Sequence, residues 1–413
     1  MEEEITIRYM KEVNKWWTGQ LVIPDYKERE IYPQIFKFMK QKQIVSITGL
    51  RRVGKTTIML KIIKEYLSSN FPKENIFYFS FDEYNLVRIQ EVIDAYLKLM
   101  DRKIDSEKYL FVFDEIQKVN NWEEQLKRIY DINPNVKFLI SGSESLFIRR
   151  KSRESLAGRI FEFRVNPLSF KEYLSFKEKK FNNIDLYKDE ILKEFENYLL
   201  CNGFPELIDK EKEVSMKYVQ EGIIDRVIFR DLVEVFGVKD TAIIKSIFDV
   251  IYNHPGQIIE IQELAKEIGI TRQAVSQYLE YLEESYLIKK IYNYSRNARK
   301  TQRRLKKYYS TLTNPLLIKS EFSKVFEQAM IIQLNADYFW RDSYKNEVDI
   351  IKTDPLIAIE VKSGNFKDNA IIPLEVFANK FNPKRTIILS YDMKKKINNV
   401  EIIPFYEFIL KNL

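Results

Sequence analysis

At 413 residues, with 45% hydrophobic and 31% charged side chains, the chain has room for roughly two to four globular domains and is not compositionally disordered. A single histidine, His254, and a single cysteine, Cys201, exclude Cys/His zinc sites, Ser-His-Asp triads, Cys-His dyads and an intrachain disulfide. Chemistry must therefore run on carboxylates, lysines, arginines, hydroxyls and a hard cation such as Mg²⁺, and the net charge of +7 is gathered into one run rather than spread evenly.

The chain opens on Met1-Glu-Glu-Glu, acidic where a signal peptide would be basic and then apolar. No apolar run approaches the about 18 residues of a membrane span. The expectation is a cytoplasmic protein with no membrane partner.

The first chemical motif is "SITGLRRVGKTTIML", residues 46–60. A short apolar strand runs into Gly49, Leu50, Arg51, Arg52, Val53, Gly54, Lys55 and Thr56, and an apolar-periodic helix follows from Thr57. Glycines permit a tight loop whose N–H groups face phosphate oxygens; Lys55 neutralises phosphate charge, and Thr56 offers a hydroxyl to Mg²⁺. The helix start adds its positive dipole end. The spacing predicts an ATP or ADP cradle over residues 49–57.

Further strands are predicted at 75–81, 109–117, 136–143 and 159–165. The first of these places a strand between the two motif strands. "YLFVFDEIQ" ends an apolar strand in Asp114-Glu115, which suits Asp114 to the Mg²⁺ shell and Glu115 to polarising the attacking water. "VKFLISGS" puts Ser141 and Ser143 where a γ-phosphate would be sensed. Arg149, Arg150, Arg153 and Arg159 precede the last strand, and an arginine from this group offered to a neighbouring subunit would raise the rate of phosphoryl transfer.

"GLRRVGKTT", "LFVFDEIQKVNNWE", "LISGSES", "SLAGRIFEFRVNPLSFKEYL" and "YLLCNGFPEL" follow one another in an order that resembles a family of prokaryotic AAA+ ATPases, of the AAA_14 type, carrying a C-terminal DUF4143 region. The resemblance implies an ATP-hydrolysing core, with Gly49 to Thr57 on the nucleotide and Asp114-Glu115 as its Mg²⁺ and water residues. It also implies Arg159, in "LAGR", as the trans-acting arginine, and a helical lid after the core. Residues 170–250 read as amphipathic helices. Arg226 and Arg230 could reach the phosphates from them, or form a salt-bridged helix surface beside Asp225 and Asp231.

Residues 258–294 have a helix-turn-helix cadence: a helix over 262–268, a Gly269-Ile270-Thr271 turn, and a second helix presenting Arg272, Gln273, Ser276 and Gln277. The stretch "KKIYNYSRNARKTQRRLKK", 289–307, holds nine Lys or Arg and no acid, including Arg296, Arg299, Arg303 and Arg304. As a wing it suits a nucleic-acid backbone, and a protein-contact winged helix is the competing reading.

The last hundred residues predict a helix carrying Glu327, three strands, a helix near 370–381 and a strand at 385–390. Asp349 lies on the second strand, and Glu360 and Lys362 share one face of the third. This resembles the PD-(D/E)xK nucleases, with Val348 where those proteins usually carry proline. Two facing carboxylates could hold Mg²⁺ beside a lysine that activates water.

The expected class is α/β, a phosphate-loop NTPase of the AAA+/ASCE type. Its parts are a parallel-sheet core (1–165), a helical lid (166–245), a winged helix (246–312) and a C-terminal restriction-endonuclease-like α/β domain (313–413). The readings left open are an ATP-driven switch or motor on DNA, an ATP-regulated DNA endonuclease or defence effector, and a nucleotide-gated protein scaffold. Their partners are ATP, ADP and Mg²⁺, then DNA, a second copy or another protein.

Overall fold

A computed structural model describes residues 2–19, 26–82, 88–105, 107–142, 155–297, 301 and 305–411. The chain divides into two compact units, residues 1–167 and 168–413.

The first unit is built on five parallel strands: β1 (Ile44–Thr48), β2 (Ile76–Ser80), β3 (Tyr109–Asp114), β4 (Val136–Gly142) and β5 (Ile160–Arg164). Their order is β2-β3-β4-β1-β5. Every residue of β1 and β3 is buried, as expected of a parallel sheet covered on both faces by its crossover helices. Phe77, Phe79, Phe111, Phe113 and Phe138 fill one side together with Tyr96 of the helix Ile89–Met100. The strand separating the two motif strands in the sheet is β4. β2 stands between them only along the chain and takes the sheet edge, which corrects the expected insertion.

That edge is closed by the N-terminal segment. The Asn14 amide accepts from the Tyr78 N–H (2.7 Å) and donates to the Tyr78 carbonyl (2.9 Å), as a neighbouring strand would. The indole N–H groups of Trp16 and Trp17 both donate to the Ile76 carbonyl, at 3.1 and 2.9 Å. The backbone groups of this strand edge are thus satisfied by side chains.

The second unit carries one nine-stranded sheet, in the order β13-β14-β12-β11-β10-β9-β7-β8-β6. Its helix-turn-helix part comprises the helices Thr241–Asn253, Ile261–Ile268 and Arg272–Glu284, with β6 (Gln257–Ile258), β7 (Ile288–Asn293) and β8 (Lys306–Ser310). The rest has the expected αβββαβ order: the helix Phe322–Gln333, β9 (Tyr338–Arg341), β10 (Glu347–Thr353), β11 (Leu356–Lys362), the helix Ile372–Phe381 and β12 (Arg385–Ser390). It is extended by β13 (Lys395–Ile397), β14 (Val400–Pro404) and the helix Phe405–Leu410. Parallel pairing of β7 with β9, Tyr292 opposite Tyr338, carries the sheet straight across residue 312.

The helices at 170–201 pack within this same unit. Phe170, Phe195 and Tyr198 meet Phe326 and Phe405 in one aromatic cluster, and the Gln333 amide oxygen accepts from the Phe170 N–H at 2.8 Å. From Lys212 a helix continues through π-helical turns, 218–225 and 227–231, to Phe236. Among the described residues, no helix is long and apolar enough to cross a membrane.

Candidate nucleotide site and a second carboxylate cluster

In a parallel sheet, the C-terminal strand ends share one edge, and loops there form the ligand crevice. That edge gathers the loop after β1, Asp114 at the end of β3 and Ser141 near the end of β4.

Backbone conformation explains the glycines. Gly49 has φ +142°, and a Cβ there would lie 2.1 Å from the Val165 carbonyl oxygen. Gly54, at φ +95°, turns the loop into the helix Lys55–Ser68. Arg52 also adopts a left-handed φ, 65°. Leu50 and Val53 are buried and anchor the loop, while Thr56 and Thr57 are exposed at the helix start. Arg29, a residue the motif does not reveal, is buried beneath and donates to the carbonyls of Val53 and Asn166, each at 2.7 Å.

The chemistry-bearing groups meet. Thr56 Oγ1 donates to Asp114 Oδ2 at 2.7 Å, and Tyr78 Oη donates to the same oxygen at 3.1 Å. Burial, then the Asp114 charge, holds the Tyr78 hydroxyl well above its ordinary pKa, so it stays a donor. Ser141 Oγ donates to Asp114 Oδ1 and accepts from the Glu115 N–H at 3.3 Å. Lys55, 5% exposed, donates to the carbonyls of Gly49 (2.9 Å) and Leu50 (3.0 Å). Glu115 has left-handed backbone, φ 53°, and its Oε2 accepts from the Gln117 amide at 2.5 Å. A hydroxyl and a carboxylate within 2.7 Å are hard oxygen donors of the kind Mg²⁺ takes.

Arg159 lies before β5, at the opposite edge of the sheet, where its carbonyl accepts from Ile44 N at the start of β1. Its guanidinium makes a two-pronged bond to Asp131, Nε–Oδ1 2.8 Å and Nη2–Oδ2 3.2 Å. Ser143, Arg149, Arg150 and Arg153 lie outside the described residues. In the second unit Arg230 pairs with Glu234 (3.0 Å) rather than with flanking Asp225 or Asp231, and Asp225 accepts from Gln220.

Thr271 caps its helix by accepting from Ala274 N at 3.1 Å, and Arg272, Gln273, Ser276 and Gln277 are all exposed. The basic run is less free than its composition suggests. Lys290 pairs with Glu283, Lys289 bonds Asn335, and Arg296 donates to the Phe381 carbonyl (3.0 Å) with its guanidinium over that ring. Lys307, read as part of a wing suited to a nucleic-acid backbone, is only 2% exposed. Arg299, Arg303 and Arg304 lie outside the described residues.

Glu327, Asp349, Glu360 and Lys362 do come together. Asp349 Oδ2 accepts from Val361 N at 2.9 Å, and Lys362 Nζ donates to Glu360 Oε1 at 2.7 Å. Burial, then the charge of Glu327, pushes Asp349 up to about 6; burial, then Asp349, pushes Glu360 up to about 8. Burial also opposes ionisation of Glu327, but Lys307 and Lys324 outweigh it and lower that carboxyl. The unexpected member is Lys307, expected from the sequence in the basic wing suited to a nucleic-acid backbone. Among the described residues no group of three or more Asp, Glu, His or Cys side chains is arranged to hold a metal ion.

The first unit is thus a phosphate-loop α/β fold. Comparison bears on the particular family: residues 41–174 match an AAA domain (AAA_14), and residues 192–311 match a domain of unknown function, DUF8612, where the resemblance had named DUF4143. Neither match extends over residues 313–413.

An uncharacterised protein of Methanocaldococcus jannaschii is 32% identical over 263 residues, 61% of this chain and 57% of that protein. The chain therefore matches little more than half the length of that relative. An uncharacterised protein of Haemophilus influenzae is 26% identical over 93% of this chain and 98% of its own. Solved structures with a distant likeness of fold include the Thermotoga maritima RuvB Holliday junction branch migration motor (17% identity, TM-score 0.32, 66% of this chain and 90% of that one). The Aeropyrum pernix Orc1 protein in complex with DNA is another (15%, 0.33, 76% and 96%).

Proposed function

We propose that the chain binds ATP with Mg²⁺ and hydrolyses it, as a nucleotide-driven switch or motor that works on DNA. The observation that carries this reading is the 2.7 Å bond from Thr56 to Asp114, residues 58 positions apart that the β1 and β3 strand ends bring together.

In this reading the backbone N–H groups of residues 49–57 cradle the phosphates, and Lys55 exchanges its loop carbonyls for phosphate oxygens. Thr56 and Asp114 would hold Mg²⁺, which supplies charge neutralisation on the phosphates. Glu115 takes a proton from water as its oxygen bonds to the γ-phosphorus and the bond to ADP breaks. Ser141 links Asp114 to the Glu115 backbone and so couples the phosphate end of the site to the base. Arg159, at the far edge of the sheet, would act only on a second copy's nucleotide, after leaving Asp131.

The exposed face of the helix Arg272–Glu284 supports the DNA part, with Arg272 and Gln273 at its N-terminal end and Arg299, Arg303 and Arg304 following in the chain. Lys307 among the C-terminal carboxylates favours the switch over an ATP-regulated endonuclease. ATP turnover, measured alone and with single- or double-stranded DNA, tests the whole. The expected result is turnover lost in Lys55→Ala and stimulated by DNA in the parent. Equal turnover in Lys55→Ala would remove the assigned site. Absence of DNA stimulation, with DNA affinity insensitive to salt, would instead select a protein-binding scaffold.

A further inference from the structure

Lys307 reaches the C-terminal carboxylates because β8 belongs to the same sheet as β10 and β11. Its ammonium lies 2.6 Å from Glu347 Oε1, 3.6 Å from Glu327 Oε1 and 3.9 Å from Asp349 Oδ1. These carboxylates come from one helix and one strand and converge on a single cation. A fourth, Glu360, is 7% exposed, and its Oε2 has no hydrogen-bond partner.

The fit around Lys307 is close. Tyr309, next but one along β8, donates to Glu327 Oε1 at 2.8 Å. Gly256 has φ +77°, and a Cβ there would stand 2.8 Å from that same carboxylate oxygen, so the glycine leaves Glu327 its place. The Phe339 ring lies 5.3 Å from the ammonium. A divalent ion draws its oxygens to about 2.0–2.6 Å. An ammonium holds them at hydrogen-bond distance and beyond, which is the spacing observed. Four cations, Lys307, Lys324, Lys362 and Arg341, already stand against the four carboxylates.

We propose that the Lys307 ammonium is a tethered cation holding, between Glu327, Glu347 and Asp349, the place a divalent metal would take beside Glu360 and Lys362. With Lys307 seated, this cluster takes up neither Mg²⁺ nor Mn²⁺ and cuts no DNA. Removing the ammonium takes away the one cation that Glu327, Glu347 and Asp349 share and opens that place to a metal ion. This inference is independent of the nucleotide site, which lies on the other unit.

The test is Mn²⁺ binding to the full chain, followed by calorimetry and by paramagnetic resonance of free Mn²⁺, in the parent, Asp349→Asn, Lys307→Met and the double variant. The expected result is that Asp349→Asn leaves the parent's Mn²⁺ uptake unchanged. Lys307→Met gains one further equivalent of Mn²⁺ per chain, and adding Asp349→Asn removes it. Should Lys307→Met fold poorly, Mn²⁺ is expected to raise its melting temperature, and to do so only while Asp349 is present. Loss of Mn²⁺ uptake in Asp349→Asn alone would overturn the proposal, because the parent's cluster would then be open to metal. So would a Lys307→Met chain that neither gains an equivalent nor is stabilised by Mn²⁺.

Discussion

Thr56 and Asp114 share a 2.7 Å hydrogen bond across the crevice at the strand ends of the first unit. Under the proposed mechanism this pair holds Mg²⁺, so its two members should fail in the same way. Asp114→Asn and Thr56→Val are each expected to lower Mg²⁺-dependent turnover by about 10²-fold or more. Nucleotide binding measured without Mg²⁺ should change little. If either variant lost metal-free binding as well, the residue would be holding the loop rather than the metal.

Glu115 is held by Gln117 at 2.5 Å, clear of the phosphate loop's own hydrogen bonds. Glu115→Gln removes the base and keeps the shape. It should bind ATP as the parent does and hydrolyse it about 10²- to 10⁴-fold more slowly. Single-turnover measurement with labelled ATP checks this, and an unaltered rate would move the base elsewhere.

Gly49→Ala places a methyl 2.1 Å from the Val165 carbonyl, at a φ of +142° that a side chain rarely adopts. Both β5 and the loop would have to shift. ATP affinity is expected to fall at least about tenfold, with a lowered melting temperature for the first unit. Retention of both would show that the loop tolerates the change.

Asn14→Ala would strip the Tyr78 N–H and carbonyl of their side-chain partner on a buried edge. The expected loss is about 1–3 kcal/mol in denaturant unfolding, the range for buried polar groups left unmatched. Asn14→Asp should be nearly as costly, since it keeps the acceptor and loses the donor.

Glu360 gives the second unit a pH dependence. Its carboxyl is raised from 4.5 to about 8 by burial and then by Asp349; Lys362 and Glu327 also face it. The folded unit therefore binds more protons than the unfolded chain between those values, and stability falls as pH rises through that window, by at most about 1.4 kcal/mol per pH unit for one proton. Asp349, raised to about 6, adds to the lower part. Glu360→Gln should flatten the profile above about pH 6 and melt higher than the parent near pH 8. A Glu360→Gln profile parallel to the parent's would contradict this.

The candidate nucleotide site was largely legible as a gathering of residues because its polar groups sit where strands end. A loop of set length between an apolar strand and a helix, and a second apolar strand closing on Asp114, can be recognised without knowing how the strands are ordered. The ordering itself was not legible. That β4 lies between β1 and β3 depends on crossovers no local pattern encodes. Asn14, Trp16 and Trp17 were missed for a related reason, since capping an edge requires knowing which strand is the edge. Arg29 carries no motif at all. Lys307 was misread because a lysine in a basic run looks available to a nucleic-acid backbone. Its partners are supplied by elements tens of residues away, and only the joined sheet brings them to it.

The most direct test of the central claim is calorimetric titration of ATP with Mg²⁺ into the full chain and into Lys55→Ala. Lys55 is 5% exposed and bonded to the Gly49 and Leu50 carbonyls, at the heart of the loop. The account predicts stoichiometric binding to the parent and a loss of about a hundredfold or more in affinity for Lys55→Ala. No heat of binding with the parent, or equal affinity in the two proteins, would contradict it.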